Sequence, residues 1–253
     1  MASAKKDEPH PLTSRVKFRL SNRDFRARAH SNPLNDGNFD VPSRPSEVEW
    51  RKWFDLESAT SEGLRARALK EEVDVTRPEW VDIGCGYGGL LAEMSTAFPD
   101  KLMVGLEIRD RPLQFCEERI KKLRKEAPGS YGNVWYIRTN VMKFLVNFFE
   151  KGSVEKMFFC YPDPHYKKKK HRQRIVSMQL LAEYAYVLSP SALVYVVTDV
   201  EELFQWISER LTKHPLFTQL TDEEIVSKFQ DKLSSQQHSF AVAKITIQSL
   251  SIL

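Results

Sequence analysis

The chain is expected to fold as a doubly wound, mostly parallel α/β sheet with a basic N-terminal extension. Three observations carry this expectation. Short apolar runs alternate with amphipathic helical stretches between residues 79 and 213, the pattern of a parallel sheet covered by helices. The first run passes directly into a cluster of glycines. Finally, the apolar runs end at or just before polar residues, namely Asp82, Glu107, Asn140, Asp163 and Asp199. Ligands of such sheets sit beyond the carboxyl ends of the strands.

The elements follow in order. Residues 1–45 hold five prolines, many charges and few aliphatics, so they read as a basic arm, extended or disordered when free. Residues 46–253 form the domain. Trp50, Trp53, Phe54 and Leu64 anchor one or two short helices. Trp80–Ile83 is the first strand, and Leu90–Phe98 is a helix stopped by Pro99. Leu102–Leu106 is the second strand. Residues 112–125 place Leu113, Cys116, Ile120 and Leu123 at intervals of three and four, which makes one apolar helix face. Val134–Ile137 and Val154–Tyr161 are the next strands, Leu180–Leu188 a helix, Ala192–Thr198 a strand and Glu201–Lys213 a helix. Alternation over Ala243–Leu250 suggests an edge strand.

Composition narrows the class. A hydrophobic content of 42% with 28% charged residues suits a soluble globular domain. There is no apolar run of membrane-spanning length, so no membrane partner is expected, and the N-terminus lacks a secretory apolar core. Cys85, Cys116 and Cys160 form neither a metal-binding pair nor an even disulfide framework. No metal site is expected, and a reducing compartment fits, cytosol or nucleus.

Charge is unevenly placed. Residues 1–30 carry eight basic and three acidic side chains, while the whole chain is only +4. Lys167–Arg174 contains six Lys/Arg and no acid. Two positive regions on a nearly balanced body point to a polyanion, although solvated surface segments would look alike.

Gly84, Gly86 and Gly89 satisfy G-x-G-x-x-G, and Glu107 follows at the end of the second strand. Taken alone, this suits a dinucleotide equally well. Asp82 and the alternative spacing Gly84, Gly86, Gly88 favour S-adenosylmethionine, because a carboxylate before the loop suits a cationic methionine better than a pyrophosphate. In Cys160-Tyr-Pro-Asp-Pro-His165, the prolines stiffen the turn and remove two backbone donors. Asp163 is thus a candidate for gripping a substrate, or a local turn cap.

Phe159–Ile175, with Pro-Asp-Pro-His and its lysine run, closely resembles the signature of the tRNA (guanine-N7-)-methyltransferases. Arg26–Pro33 resembles the N-terminal motif of the eukaryotic members. The segments Asp82–Leu91, Gly105–Arg109 and Leu180–Leu188 also match. The resemblance covers residues 24–217 and implies a Rossmann-like class I methyltransferase fold. It further implies S-adenosylmethionine as cofactor, N7 of a guanine in the tRNA variable loop as acceptor, and a WD40-repeat non-catalytic subunit as partner in a heterodimer. The expected location is the nucleus, with the cytoplasm as a second compartment. Residue by residue, it implies that Gly84 and its loop hold the methionine and adenosine parts. Glu107, Ile108 and Arg109 would lie at the ribose and adenine. Asn140 and Val141 would flank the adenine, Cys160 would line the pocket, and Asp163 would be the catalytic residue. Lys167–Arg174 would contact the tRNA backbone, while His165 and His171 would make phosphate or turn contacts. Ser31 follows Arg26 and Arg28 at a spacing that basophilic kinases favour; a phosphate there would add about two negative charges.

The family's C-terminal Thr-x-Glu-Gly segment is not found. Residues 233–253 are atypical, with His238 and Phe240 where closing contacts would stand. A second reading follows: a catalytically weak RNA- or partner-binding protein that keeps the fold.

Overall fold

The computed structural model describes residues 25, 31–35, 37–69 and 76–221, and the backbone of 242–247. Arg26, Arg28, His238 and Phe240, and most of the basic arm, on which the sequence analysis also drew, lie outside the described residues.

Five parallel strands make the body of the sheet: β1 (Trp80–Ile83), β2 (Met103–Glu107), β3 (Val134–Arg138), β4 (Val154–Cys160) and β5 (Leu188–Val197). With β6 (Phe217–Gln219) and β7 (Val242–Ile247), the order is β3-β2-β1-β4-β5-β7-β6. The strand order reverses between β1 and β4, which opens a crevice at their carboxyl ends. β7 runs antiparallel to both β5 and β6. It is therefore an interior strand and not the expected edge. The three-residue β6, too short to show a period, takes the edge.

Helices cover both faces. In α2 (Gly89–Ala97) and α3 (Asp110–Glu126), buried Leu91, Met94, Leu113, Cys116, Ile120 and Leu123 pack with Trp80, Met103 and Tyr136. The four α3 residues read from the sequence are all buried. Opposite them, α4 (Val141–Phe148), α5 (Met178–Val187) and α6 (Glu201–Lys213) pack on Val81, Ile83, Val104 and Phe159. A short α1 (Glu62–Ala68) starts at Ser61, whose side chain accepts the Leu64 N–H.

Three differences from the sequence reading have local causes. α4 spans only eight residues, too few turns for its buried Val141, Leu145 and Phe148 to stand out as a period in the sequence; Asn140 caps it through the Met142 N–H. β5 begins at Leu188, ahead of the expected Ala192, and absorbs Pro190 in a register shift opposite Val154–Lys156. Residues 31–45 do not stand away from the body. Carbonyls of Asn35, Asn38 and Pro42 accept from Lys143, Arg138 and Asn147, and Phe39 meets Phe144 at 6.1 Å.

A Cβ at Gly105 would lie 2.5 Å from Tyr136 Cδ1 and 2.8 Å from Cys85 Sγ, whereas one at Gly89 meets nothing nearer than 3.8 Å. Gly105→Ala should therefore destabilise the chain by roughly 1–3 kcal/mol. Gly89→Ala should leave stability almost unchanged. Thermal unfolding of the pair checks this; equal Tm values would contradict it.

Candidate active site

A cavity of about 350 Å³ opens at the carboxyl ends of β1 to β4, within the range of small-molecule sites. Gly84, Glu107, Ile108, Arg109, Asn140, Val141 and Asp163 all line it. Cys160 does not. It packs half-buried against the α2/α3 core, and burial, then the Asp82 charge, push its thiol up to about 12. Where the sequence reading expects it in the wall, the residues of this stretch that line the cavity begin at Tyr161. Asp199 is exposed and away from the cavity.

The glycine loop decides between the two spacings. Gly84, Gly86 and Gly88 have φ values of 73°, 56° and 68°, a region where side chains are disfavoured. Gly89 simply begins α2. The alternating motif is thus the one that shapes the loop. A Cβ on Gly84 would meet nothing within 4 Å, so it would stand in the cavity, and its absence leaves backbone open to a ligand. Tyr136, fully buried, donates its hydroxyl to the Gly88 carbonyl at 2.6 Å and braces the loop from below.

Glu107 is almost fully buried and accepts four N–H groups. Oε1 takes the Arg109 backbone N–H (2.9 Å) and Nε (3.0 Å), and Oε2 takes the Gly86 N–H (3.0 Å) and Arg109 Nη2 (3.0 Å). These four contacts fill the carboxylate's ordinary capacity. Ribose hydroxyls would therefore bind Glu107 by exchange with the Arg109 guanidinium.

Asp82 lies one residue behind the wall that Ile83 and Gly84 form. It is buried, and its Oδ1 meets no hydrogen-bond partner among the described residues. Burial, and next the charge of Glu107, push it up to about 7. An unsatisfied buried carboxylate next to a cavity calls for a cationic partner. The ammonium and sulfonium of S-adenosylmethionine fit that demand.

Also in the wall, Asp163 Oδ1 accepts the His165 N–H at 3.2 Å, and His165 Nε2 lies 3.6 Å from Oδ2. His165 thus makes a turn contact. His171 instead meets Trp206 at 5.1 Å and Glu202 at 3.7 Å. Lys167–Lys170 and Arg172 are exposed, but Arg174 is buried; its expected contact with tRNA backbone is corrected. Ser31, Pro33 and Gln173 complete the wall. Asn140 Nδ2 donates to the Pro33 carbonyl (2.7 Å), and Gln173 Nε2 to Asn32 Oδ1 (2.7 Å). No periodicity announces such contacts; only the Arg26–Pro33 motif hinted at them.

This sheet order, the alternating glycine loop and a carboxylate at the end of β2 define a class I S-adenosylmethionine-dependent methyltransferase. A family model described as "Putative methyltransferase" matches residues 76–241. The chain is similar to the tRNA (guanine-N(7)-)-methyltransferase of Oryza sativa subsp. japonica, at 48% identity over 202 residues, covering 80% of this chain and 77% of that one. It is similar to the enzyme of that name from Brugia malayi, at 49% over 201 residues, with 79% and 72% covered. For Drosophila virilis the identity is 46% over 226 residues, with 88% and 85% covered. A looser likeness links it to a SAM dependent methyltransferase from Aquifex aeolicus, at 13% identity and a TM-score of 0.47, covering 78% of this chain and 92% of that one. The chain belongs to the tRNA (guanine-N(7)-)-methyltransferase family.

Asp82, buried behind the cavity wall, is expected to make cofactor binding pH-dependent. An unfolded aspartate loses its proton near pH 3.9, while folded Asp82 keeps it to about 7. In that window the folded chain carries the extra proton, so this group's contribution to stability falls as pH rises. A cationic ligand favours the ionised form, and its binding expels the proton. Cofactor Kd should therefore tighten by up to about tenfold per pH unit below 7 and level off above 8. Asp82→Asn should flatten the profile. Titration calorimetry in two buffers reads both the profile and the proton release; a flat native profile would contradict the assignment.

Proposed function

We propose that this chain transfers a methyl group from S-adenosylmethionine to N7 of a guanine in the tRNA variable loop, with Asp163 as the catalytic residue. One observation carries the reading. Asp163 lines the same cavity as Gly84 of the glycine loop, in a turn stiffened by Pro162 and Pro164, and the exposed cations Lys167–Lys170 follow soon after it.

S-adenosylmethionine, when bound, supplies an electrophilic methyl group. Gly84, Glu107, Ile108, Arg109, Asn140 and Val141 would hold it, with Asp82 balancing its positive charge. Guanine N7 presents a free lone pair, so no residue has to remove a proton first. The chain's task is alignment. Asp163 accepts the guanine N1–H and N2–H, turns N7 inward and stabilises the positive charge that the purine gains. The guanine leaves its stack to reach the cavity, while Lys167–Lys170 and Arg172 hold the tRNA phosphates. The resemblance of Arg26–Pro33 to eukaryotic members supports a WD40-repeat partner and a nuclear location.

A catalytically weak binding protein is not favoured. The relatives that align over most of this chain are named tRNA (guanine-N(7)-)-methyltransferase, which speaks for an active enzyme.

Labelled cofactor and unmodified tRNA, with and without a WD40 partner, test the reading; tRNA binding without N7 incorporation would sink it. Asp163→Ala should lower kcat by about 100-fold or more with both substrates still bound. Replacing Lys168, Lys169 and Lys170 with Gln should raise the tRNA KM and make the salt dependence shallower by about two to three units. An unchanged slope counts against phosphate contacts there.

A further inference from the structure

Arg174 closes the basic run, yet it is no surface cation. Its side chain is 1% exposed, and Nε donates to the Pro164 carbonyl at 2.8 Å. Nη2 pairs with Glu202 Oε1 at 2.7 Å, and the guanidinium lies 4.5 Å over the Trp206 ring. Trp206 is itself fixed, its Nε1 donating to the Val176 carbonyl at 2.9 Å while Arg210 covers the ring. Glu202 and Trp206 both belong to α6, and no α6 residue lines the cavity.

The turn that Arg174 grips needs an outside hold. Tyr161 and His165, on either side of Pro-Asp-Pro, have φ values of 52° and 45°, a region costly for residues with side chains. At its start the Tyr161 N–H donates to the Val197 carbonyl at 2.7 Å. At its end Pro164 is held by Arg174. Between these two ties, the prolines offer no donors of their own.

Net stability is a poor explanation for such a group. A buried ion pair is often no better than apolar packing, and Arg174 Nη1 is buried without a hydrogen-bond partner among the described residues. A rigid fork that reaches a backbone carbonyl and a carboxylate together is suited to setting a distance.

We propose that Arg174 is a positioning residue for methyl transfer. It fixes where the turn presents the Asp163 carboxylate, and Glu202 and Trp206 fix the guanidinium. α6 thereby acts on a site it does not touch. This inference rests on Asp163 acting on the guanine.

Glu202 is more than half exposed, so Glu202→Ala can be made without opening the core. In the full-length chain with its partner, that variant should lose about tenfold or more in kcat, with the tRNA KM and cofactor Kd within about twofold of native. Glu202→Gln keeps an acceptor and should recover most of the loss. Arg174→Lys keeps the charge without the fork and should fall at least as far as Glu202→Ala. Hydrogen exchange of the His165 amide, which donates to Asp163, should quicken in Glu202→Ala. Native kcat in Glu202→Ala, a loss carried by KM alone, or unchanged His165 exchange would each overturn the proposal. If the native chain bound tRNA without methylating it, the proposed reaction would fail, while the exchange measurement would still decide whether Arg174 holds the turn.

Discussion

A strand covered by helices on both faces has room for polar side chains only at its ends. The four strands that build the cavity obey this constraint, and the site follows from it. β1, β2 and β4 are almost wholly apolar, with α2 and α3 on one side and α4, α5 and α6 on the other. Carboxylates therefore collect where the strands stop, and the reversal between β1 and β4 gathers those stops round one crevice. Glu107 is the joint of that arrangement. A single carboxylate ties the glycine loop to the end of β2 through the Gly86 N–H and orders Arg109 beside it. Asp82, like Lys156 in β4, is a charge-bearing group inside a strand, and its Oδ1, without a partner among the described residues, records the cost.

Much of this was legible in the sequence, for physical reasons. The α3 stripe was plain because one face is buried and the other solvated, so burial imprinted a period on Leu113, Cys116, Ile120 and Leu123. Strand ends were plain because a glycine, a proline or an acid, or Asn140 in the case of β3, punctuates each. α4 is harder to read, since its buried Val141, Leu145 and Phe148 keep helical spacing over only two turns, and Met142, Phe144 and Val146 between them blur the contrast. β7 was seen as a strand but misplaced, because alternation fixes faces and not neighbours. The glycine loop was ambiguous between two spacings, and backbone dihedral angles, which the sequence does not display, chose Gly84, Gly86 and Gly88.

Contacts made by backbone atoms leave the faintest trace. Residues 31–45 read as a detached arm because they contain few aliphatic side chains. They dock through carbonyl oxygens, received by Arg138, Asn140, Lys143 and Asn147, and any residue can offer a carbonyl. The same holds for Arg174. In the sequence it is one more cation in a run of six; in the fold its partner is the Pro164 carbonyl, a group invisible to pattern. Its identity as an arginine still mattered, because a lysine could not reach Pro164 and Glu202 together.

The costly features of the site share one character. Positive φ at Tyr161 and His165, a buried guanidinium with an idle nitrogen among the described residues and a carboxylate in a strand all oppose stability, and none of them takes a proton from the acceptor. That agrees with the chemistry. An acceptor that already owns its lone pair asks for no base, so catalytic advantage must come from holding N7, carboxylate and cofactor in one geometry. Such a site is expected to tolerate changes in side-chain basicity better than changes in reach. Its sensitive positions are then those that set distances, Arg174 and the prolines beside Asp163, as much as those that meet the substrate.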